Sequence, residues 1–236
     1  MIETMRLKAL AAFLAFFALA AFQAVPPAAP KATDWTEVVS ATPEGGFVVG
    51  NPNAPTKLVE FVSMSCPHCA HFDANAHDAL MNDYVKSGRV SYEIRNYVRD
   101  PADMAAALVA RCGGPKHFFP LTHDLLAAQK EWVASLMAVP EEQQKSLEGR
   151  PPEEVFVTFA KWANLQKWAA THGLTEGQTN ACLRDHEAVE RLIRMSSEAT
   201  DAYPAMTGVP SFVVNGSLLI GGGGWAEVEA ELKKAP

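Results

Sequence analysis

The chain has only four cysteines in 236 residues, and nowhere gathers its lysines and arginines into a basic stripe. The missing stripe, with a formal net charge of -7, argues against nucleic acid as a partner. No internal repeat is visible, so the length and the 48% hydrophobic content are those of one substantial core, or of a core with a large insertion. The apolar run from Ala9 to Phe22 is shorter than a typical membrane span. It follows Arg6 and Lys8 and contains the small residues Ala18-Leu19-Ala20, with a second cleavage position after Ala24. Residues 1–24 are therefore read as a cleaved secretory signal, an uncleaved anchor being the alternative. Pro- and Ala-rich sequence follows, and no firm element is expected before Gly46, so 25–45 is read as a spacer.

Four cysteines allow at most two disulfides, and export makes disulfides more plausible than zinc. Cys66 and Cys69 stand three positions apart in Cys66-Pro67-His68-Cys69, after the apolar strand Lys57 to Val62 and before a helix expected from Pro67 to about Lys86. A thiol at a helix N-terminus faces unpaired backbone N–H groups and the positive end of the dipole, so Cys66 is expected to ionise readily. Cys69, one turn further in, is placed to resolve a mixed disulfide with Cys66.

Beyond this junction Arg89 to Asn96 alternates as a strand, which completes a βαβ unit. Helical periodicity then runs through Ala102–Cys112, Phe118–Ala134, Pro152–Thr171, Thr175–Arg184 and His186–Asp201. In the third of these, Val155, Phe159, Trp162, Leu165 and Ala169 form a stripe expected to pack in the core, with a peptide groove as the alternative. Met137 to Arg150 is polar, with Pro140 and Gly149, and is expected to be the loosest part. Strands Ser211–Val214 and Ser217–Ile220 flank the hairpin signal Asn215-Gly216, and a helix Trp225–Lys234 closes the chain.

These residues resemble those of the DsbA-like thiol:disulfide oxidoreductases of the thioredoxin superfamily. The resemblance rests on Gly50-Asn51-Pro52-Asn53-Ala54-Pro55, Leu58-Val59-Glu60-Phe61, Cys66-Pro67-His68-Cys69, Thr207-Gly208-Val209-Pro210 and Ser211-Phe212-Val213-Val214-Asn215-Gly216. It implies an α/β thioredoxin-like fold with an inserted all-helical domain: core at 46–98, helical insertion at 99–186, core again at 187–236. It also implies donation of the Cys66-Cys69 disulfide to reduced or unfolded exported proteins in the periplasm, no cofactor besides that disulfide, and re-oxidation by a DsbB-type membrane quinone reductase. Pro-His between the cysteines is typical of the oxidising members.

The remaining site residues each admit two readings. His68 is a surface histidine at a helix start or, as its place between the cysteines favours, an imidazole that steadies the Cys66 thiolate. Pro210 opens a strand, and the resemblance implies a cis Val209–Pro210 bond opposite the dithiol, with the Val209 backbone pairing to an extended peptide. Glu60 is a strand-end residue facing water, or a buried carboxyl of raised pKa that moves a proton for Cys69. Cys112 and Cys182 are two buried free thiols or a structural disulfide of the kind some relatives carry. His71 and His77 are expected to face solvent, and no metal site is expected. Met64-Ser65 replaces the bulkier aromatics common before the first cysteine, which bears on the surface offered to partners.

The rivals are an isomerase or reductase on the same fold, and a non-redox metal-binding protein. Isomerases of the superfamily usually carry an N-terminal dimerisation domain, for which the stretch before Gly46 is too short. Threonine in place of Val209 would also have favoured them.

Overall fold

Leu58, Glu60 and Val62 alternate with Lys57, Val59 and Phe61 along one strand, and this period of two decides which side of the sheet each residue meets. The computed structural model describes residues 33–221 and 223–234, so the expected leader and the first part of the spacer lie outside the described residues. One mixed sheet contains β1 (Val39–Ala41), β2 (Phe47–Gly50), β3 (Thr56–Val62), β4 (Val90–Asn96), β5 (Ser211–Val214) and β6 (Ser217–Leu218), in the order β1-β2-β4-β3-β5-β6. β3 runs parallel to β4 and antiparallel to β5, so its backbone is paired along both edges. Asn215 and Gly216 turn the β5–β6 hairpin with φ of 48° and 84°, the left-handed conformation a tight two-residue turn requires.

Between β3 and β4 lies α1 (Pro67–Ala79), the helix expected at this junction. It passes into a wider π-helical turn, Leu80–Val85, instead of running as one α-helix to Lys86. Seven helices follow β4 before the chain returns to the core: α2 (Pro101–Arg111), α3 (Pro115–Ala127), α4 (Gln129–Met137), α5 (Glu141–Lys145), α6 (Pro152–Trp162), α7 (Leu165–Thr171) and α8 (Glu176–Leu183). α9 (His186–Ala202) then leads to β5, and α10 (Trp225–Leu232) follows the hairpin. Among the described residues, no helix is long and apolar enough to cross a membrane.

Periodicity located the helices but not their breaks. The segment expected as one helix from Phe118 to Ala134 turns at Ala128, where buried Trp132 donates its indole N–H to the carbonyl of Leu125 at 3.1 Å and closes the corner. The segment expected from Pro152 to Thr171 breaks at Asn164, which sits at φ 56°, a left-handed conformation that Asn tolerates. Of the expected stripe, Leu165 and Ala169 are buried in the core, while in α6 Phe156, Val157 and Ala160 take the interior and Val155, Phe159 and Trp162 are partly buried. The polar stretch after Met137 contains the short α5, none of whose residues is buried. Within the expected spacer the chain forms a 3-10 turn at Trp35–Glu37 and β1, a strand too short to show alternation. β6 stops at Leu218, two residues before the expected end.

The main core joins Leu58 and Val62 of β3 to Phe72, Ala76 and Leu80 beyond the first cysteine, to Phe212 of β5 and to the buried residues of α2 and α3. Phe72 and Phe212 rings lie 4.4 Å apart. On the opposite face Phe61 and Val213 pack with Ala199 of α9, and Phe61 meets the edge of Tyr203. Glu60 shares its face with Leu58 and Val62, so it points into the main core.

Candidate active site

Pro67 begins α1, where its missing N–H costs no hydrogen bond, and Cys66 is therefore the N-cap, with extended backbone at φ -82°. Both thiols are free: Cys66 is 3% exposed and Cys69 0%. The Cys66 thiol is brought down to about 5, first by the hydrogen bond from the Cys69 S–H and then by the backbone N–H groups of Cys69 and His68 and the charge of Arg99, against burial. Cys69 is pushed the other way by burial, by donating to Cys66 and by the negative charge of Glu60. One turn of helix thus separates an easily ionised sulfur from one held protonated.

Pro67 and His68 are exposed at the mouth of the site. His68 acts on Cys66 through its backbone N–H, and among the described residues its imidazole has no hydrogen-bond partner. Instead it lines a groove of about 600 Å³ with Met206, Val209, Pro210, Leu219 and Ile220. The Val209–Pro210 peptide bond is cis, and the Val209 carbonyl oxygen lies 3.2 Å from Cys66 Sγ. Ile220, 78% exposed, leaves an apolar wall open to solvent.

Glu60 lies beneath the dithiol at 2% exposure and accepts the Tyr92 hydroxyl proton in a hydrogen bond from the neighbouring strand. Burial lifts its carboxyl to about 8, the Tyr92 bond opposes the rise and the Asp73 charge adds to it. The reading of Glu60 as water-facing is therefore not the one the fold adopts.

Four further residues hold this junction, and motif reading did not find them. Asp103 on α2, fully buried, accepts the backbone N–H of Met64 at 2.7 Å and of Ser65 at 3.3 Å, and the hydroxyl of Ser63 at 2.7 Å. Burial raises its carboxyl to about 6, with Asp100 adding to the rise. Arg99 donates from Nε to Ser63 Oγ and from Nη2 to Ser65 Oγ, each at 2.9 Å. Gln129 at the start of α4 donates to the carbonyls of Met64 and Cys66 at 2.7 and 2.9 Å. Tyr92, described above, is the fourth. Asp103 and Gln129 come from the helices inserted between β4 and α9, so the insertion clamps the strand-to-helix turn that carries Cys66. Met64, 0% exposed, is a packing residue and takes no part in the surface offered to partners.

Cys112 at the end of α2 and Cys182 in α8 form a disulfide, with Cα atoms 5.6 Å apart. His71 is exposed, whereas His77 is half-buried against His123, which corrects the expectation that it faces solvent.

Comparison with known proteins agrees with this geometry. The thioredoxin family model matches residues 42–234. A protein-disulfide isomerase from Novosphingobium aromaticivorans superposes with a TM-score of 0.76 at 31% identity, covering 80% of this chain and 96% of that one. Wolbachia pipientis alpha-DsbA1 superposes with a TM-score of 0.64 at 18% identity, covering 80% and 89%. A Rickettsia bellii protein, provisionally named a protein-disulfide oxidoreductase, is 28% identical over 174 residues, 73% of this chain. The chain spans 58% of the length of that relative. With its sheet, its Cys66–Cys69 helix start and its helical insertion, the chain belongs to the thioredoxin family and has the DsbA-like form of that fold.

Proposed function

We propose that the protein is a dithiol–disulfide exchange enzyme that donates the Cys66–Cys69 disulfide to cysteine pairs of exported proteins. The observation that carries this reading is the opposed ionisation of the two thiols, Cys66 down to about 5 and Cys69 upward. A substrate thiolate attacks Cys66 Sγ, the Cys66–Cys69 bond breaks, and Cys69 leaves with the electron pair. Glu60, protonated near neutral pH, supplies a proton to that leaving sulfur, directly or through water. The second substrate thiolate then attacks the substrate sulfur of the mixed disulfide and releases Cys66 as a stabilised thiolate. Two electrons pass from substrate to enzyme, and one disulfide passes the other way.

A thiolate that is easy to hold stabilises the reduced enzyme, so the disulfide form is the stronger oxidant. The groove beside His68, Val209 and Pro210 receives an extended segment mainly through its backbone, a mode that accepts many sequences. The exchange needs no cofactor besides the dithiol. The reading includes export by the leader at 1–24, action in the periplasm, and re-oxidation by a DsbB-type membrane quinone reductase. Equilibration with a glutathione buffer tests it: an oxidising midpoint supports donation, and a strongly reducing one rejects it.

Isomerase activity is the second reading, favoured by the name of the Novosphingobium relative at 31% identity. Recovery of a substrate with scrambled disulfides, assayed with enzyme kept reduced, separates the two activities.

A further inference from the structure

The face of α1 away from the groove carries Asp73 and His77, four residues apart and so on one side of the helix. His123 of α3 projects to the same point. One ligand atom from each of the three lies within 4.8 Å of the others. His123 Nδ1 donates to Asp73 Oδ2 at 2.7 Å, and His77 Nδ1 stands 3.8 Å from Asp73 Oδ1. Tetrahedral ligation with metal–ligand bonds of about 2.0–2.1 Å places donor atoms roughly 3.3 Å apart, a separation these two distances bracket.

We propose that Asp73, His77 and His123 form a binding site for a divalent transition-metal ion of the zinc class. The site does not depend on the dithiol reading. Two imidazoles and one carboxylate suit such an ion, whereas calcium and magnesium prefer oxygen donors throughout. The two imidazole rings are stacked with their centroids 3.7 Å apart. Convergence on an ion requires the rings to rotate out of the stack. The adjoining cavity of about 500 Å³, lined by His77, His123, Glu37, Asp124 and Lys116, gives them room. Its two carboxylates outnumber its one ammonium, and water can fill the coordination positions that three protein ligands leave open. Asp73 is also the charge that adds to the raised pKa of Glu60, so a cation held there sits within electrostatic reach of the exchange site.

The test is zinc titration by calorimetry of the full-length protein with Cys66 and Cys69 oxidised, so that neither sulfur can bind the metal. One equivalent binds, and His77→Ala and His123→Ala each weaken binding by at least about tenfold, while His71→Ala and His186→Ala leave it unchanged. Cobalt in place of zinc gives a spectrum of nitrogen and oxygen ligation without a sulfur charge-transfer band. Absence of binding, or binding indifferent to both His77→Ala and His123→Ala, overturns the site. Thermal unfolding supplies a reading that needs no variant: zinc raises the wild-type Tm, and no rise in excess zinc also overturns the site.

Discussion

The carboxylate of Asp103 accepts the backbone N–H of Met64 at 2.7 Å, joining the first turn of α2 to the turn two residues before Cys66. Each oxygen of that carboxylate serves more than one donor: Oδ1 takes Met64 and Ser65, and Oδ2 takes Ser63 and the N–H of Arg99. Asparagine can offer only one such oxygen. Asp103→Asn is expected to destabilise the fold by about 1–3 kcal/mol, the cost of a buried donor left unpaired. The substitution also removes a negative charge from the turn and leaves Arg99, whose charge lowers the Cys66 pKa, less neutralised, so the variant's thiol should ionise at lower pH. Urea unfolding and thiolate absorbance check the two effects.

Arg99 reaches both serines of that turn and its charge lowers the Cys66 pKa. Arg99→Gln removes the charge, so the Cys66 pKa rises and the Cys66–Cys69 disulfide becomes less oxidising. Because the Arg99 side chain is 41% exposed, added salt should shrink the difference between wild type and variant. Equilibration against glutathione at two ionic strengths measures both.

Glu60 carries a raised pKa, about 8 in the fold against an ordinary 4.5. Between those two values the folded state holds a proton that the unfolded state has lost, so its contribution to stability falls as pH rises. Glu60→Gln cannot ionise but still accepts from Tyr92, so its stability relative to wild type should improve steadily from pH 4.5 to 8. The same variant should slow formation of the mixed disulfide by substrate thiolate, where Cys69 leaves, with little effect on release of Cys66 in the second step. Denaturant unfolding across that pH range and single-turnover kinetics are the two checks.

Much of this arrangement can be read from the sequence because it is local. Cys66, Pro67, His68 and Cys69 are adjacent, and the alternation along β3 places Glu60 inward without reference to any other element. The clamp could not be read in this way. Asp103 lies 39 residues from Met64, and Gln129 lies 63 from Cys66. An acid three residues after the N-cap Asp100 has the pattern of an ordinary first-turn carboxylate. Only the packing of α2 and α4 against the turn turns these two polar side chains inward. The breaks at Ala128 and Asn164 are also hidden, because a helical period runs through both.

The disulfide between Cys112 and Cys182 closes a loop with a sequence separation of 70. Removing it in Cys112→Ser, Cys182→Ser should cost about 4 kcal/mol by the loop-entropy argument. Since the bridge ties α2 to α8 and does not contact the dithiol, the redox equilibrium of Cys66–Cys69 should stay unchanged. Denaturant unfolding paired with glutathione equilibration separates the two outcomes.

The claim on which the account turns is that Cys66 is carried as an anion at neutral pH. Ultraviolet thiolate absorbance of the reduced protein, followed as pH is lowered, tests it directly. A single thiol losing its thiolate signal with a midpoint near 5 is the predicted result, while a midpoint near the ordinary 9.0 would contradict the account.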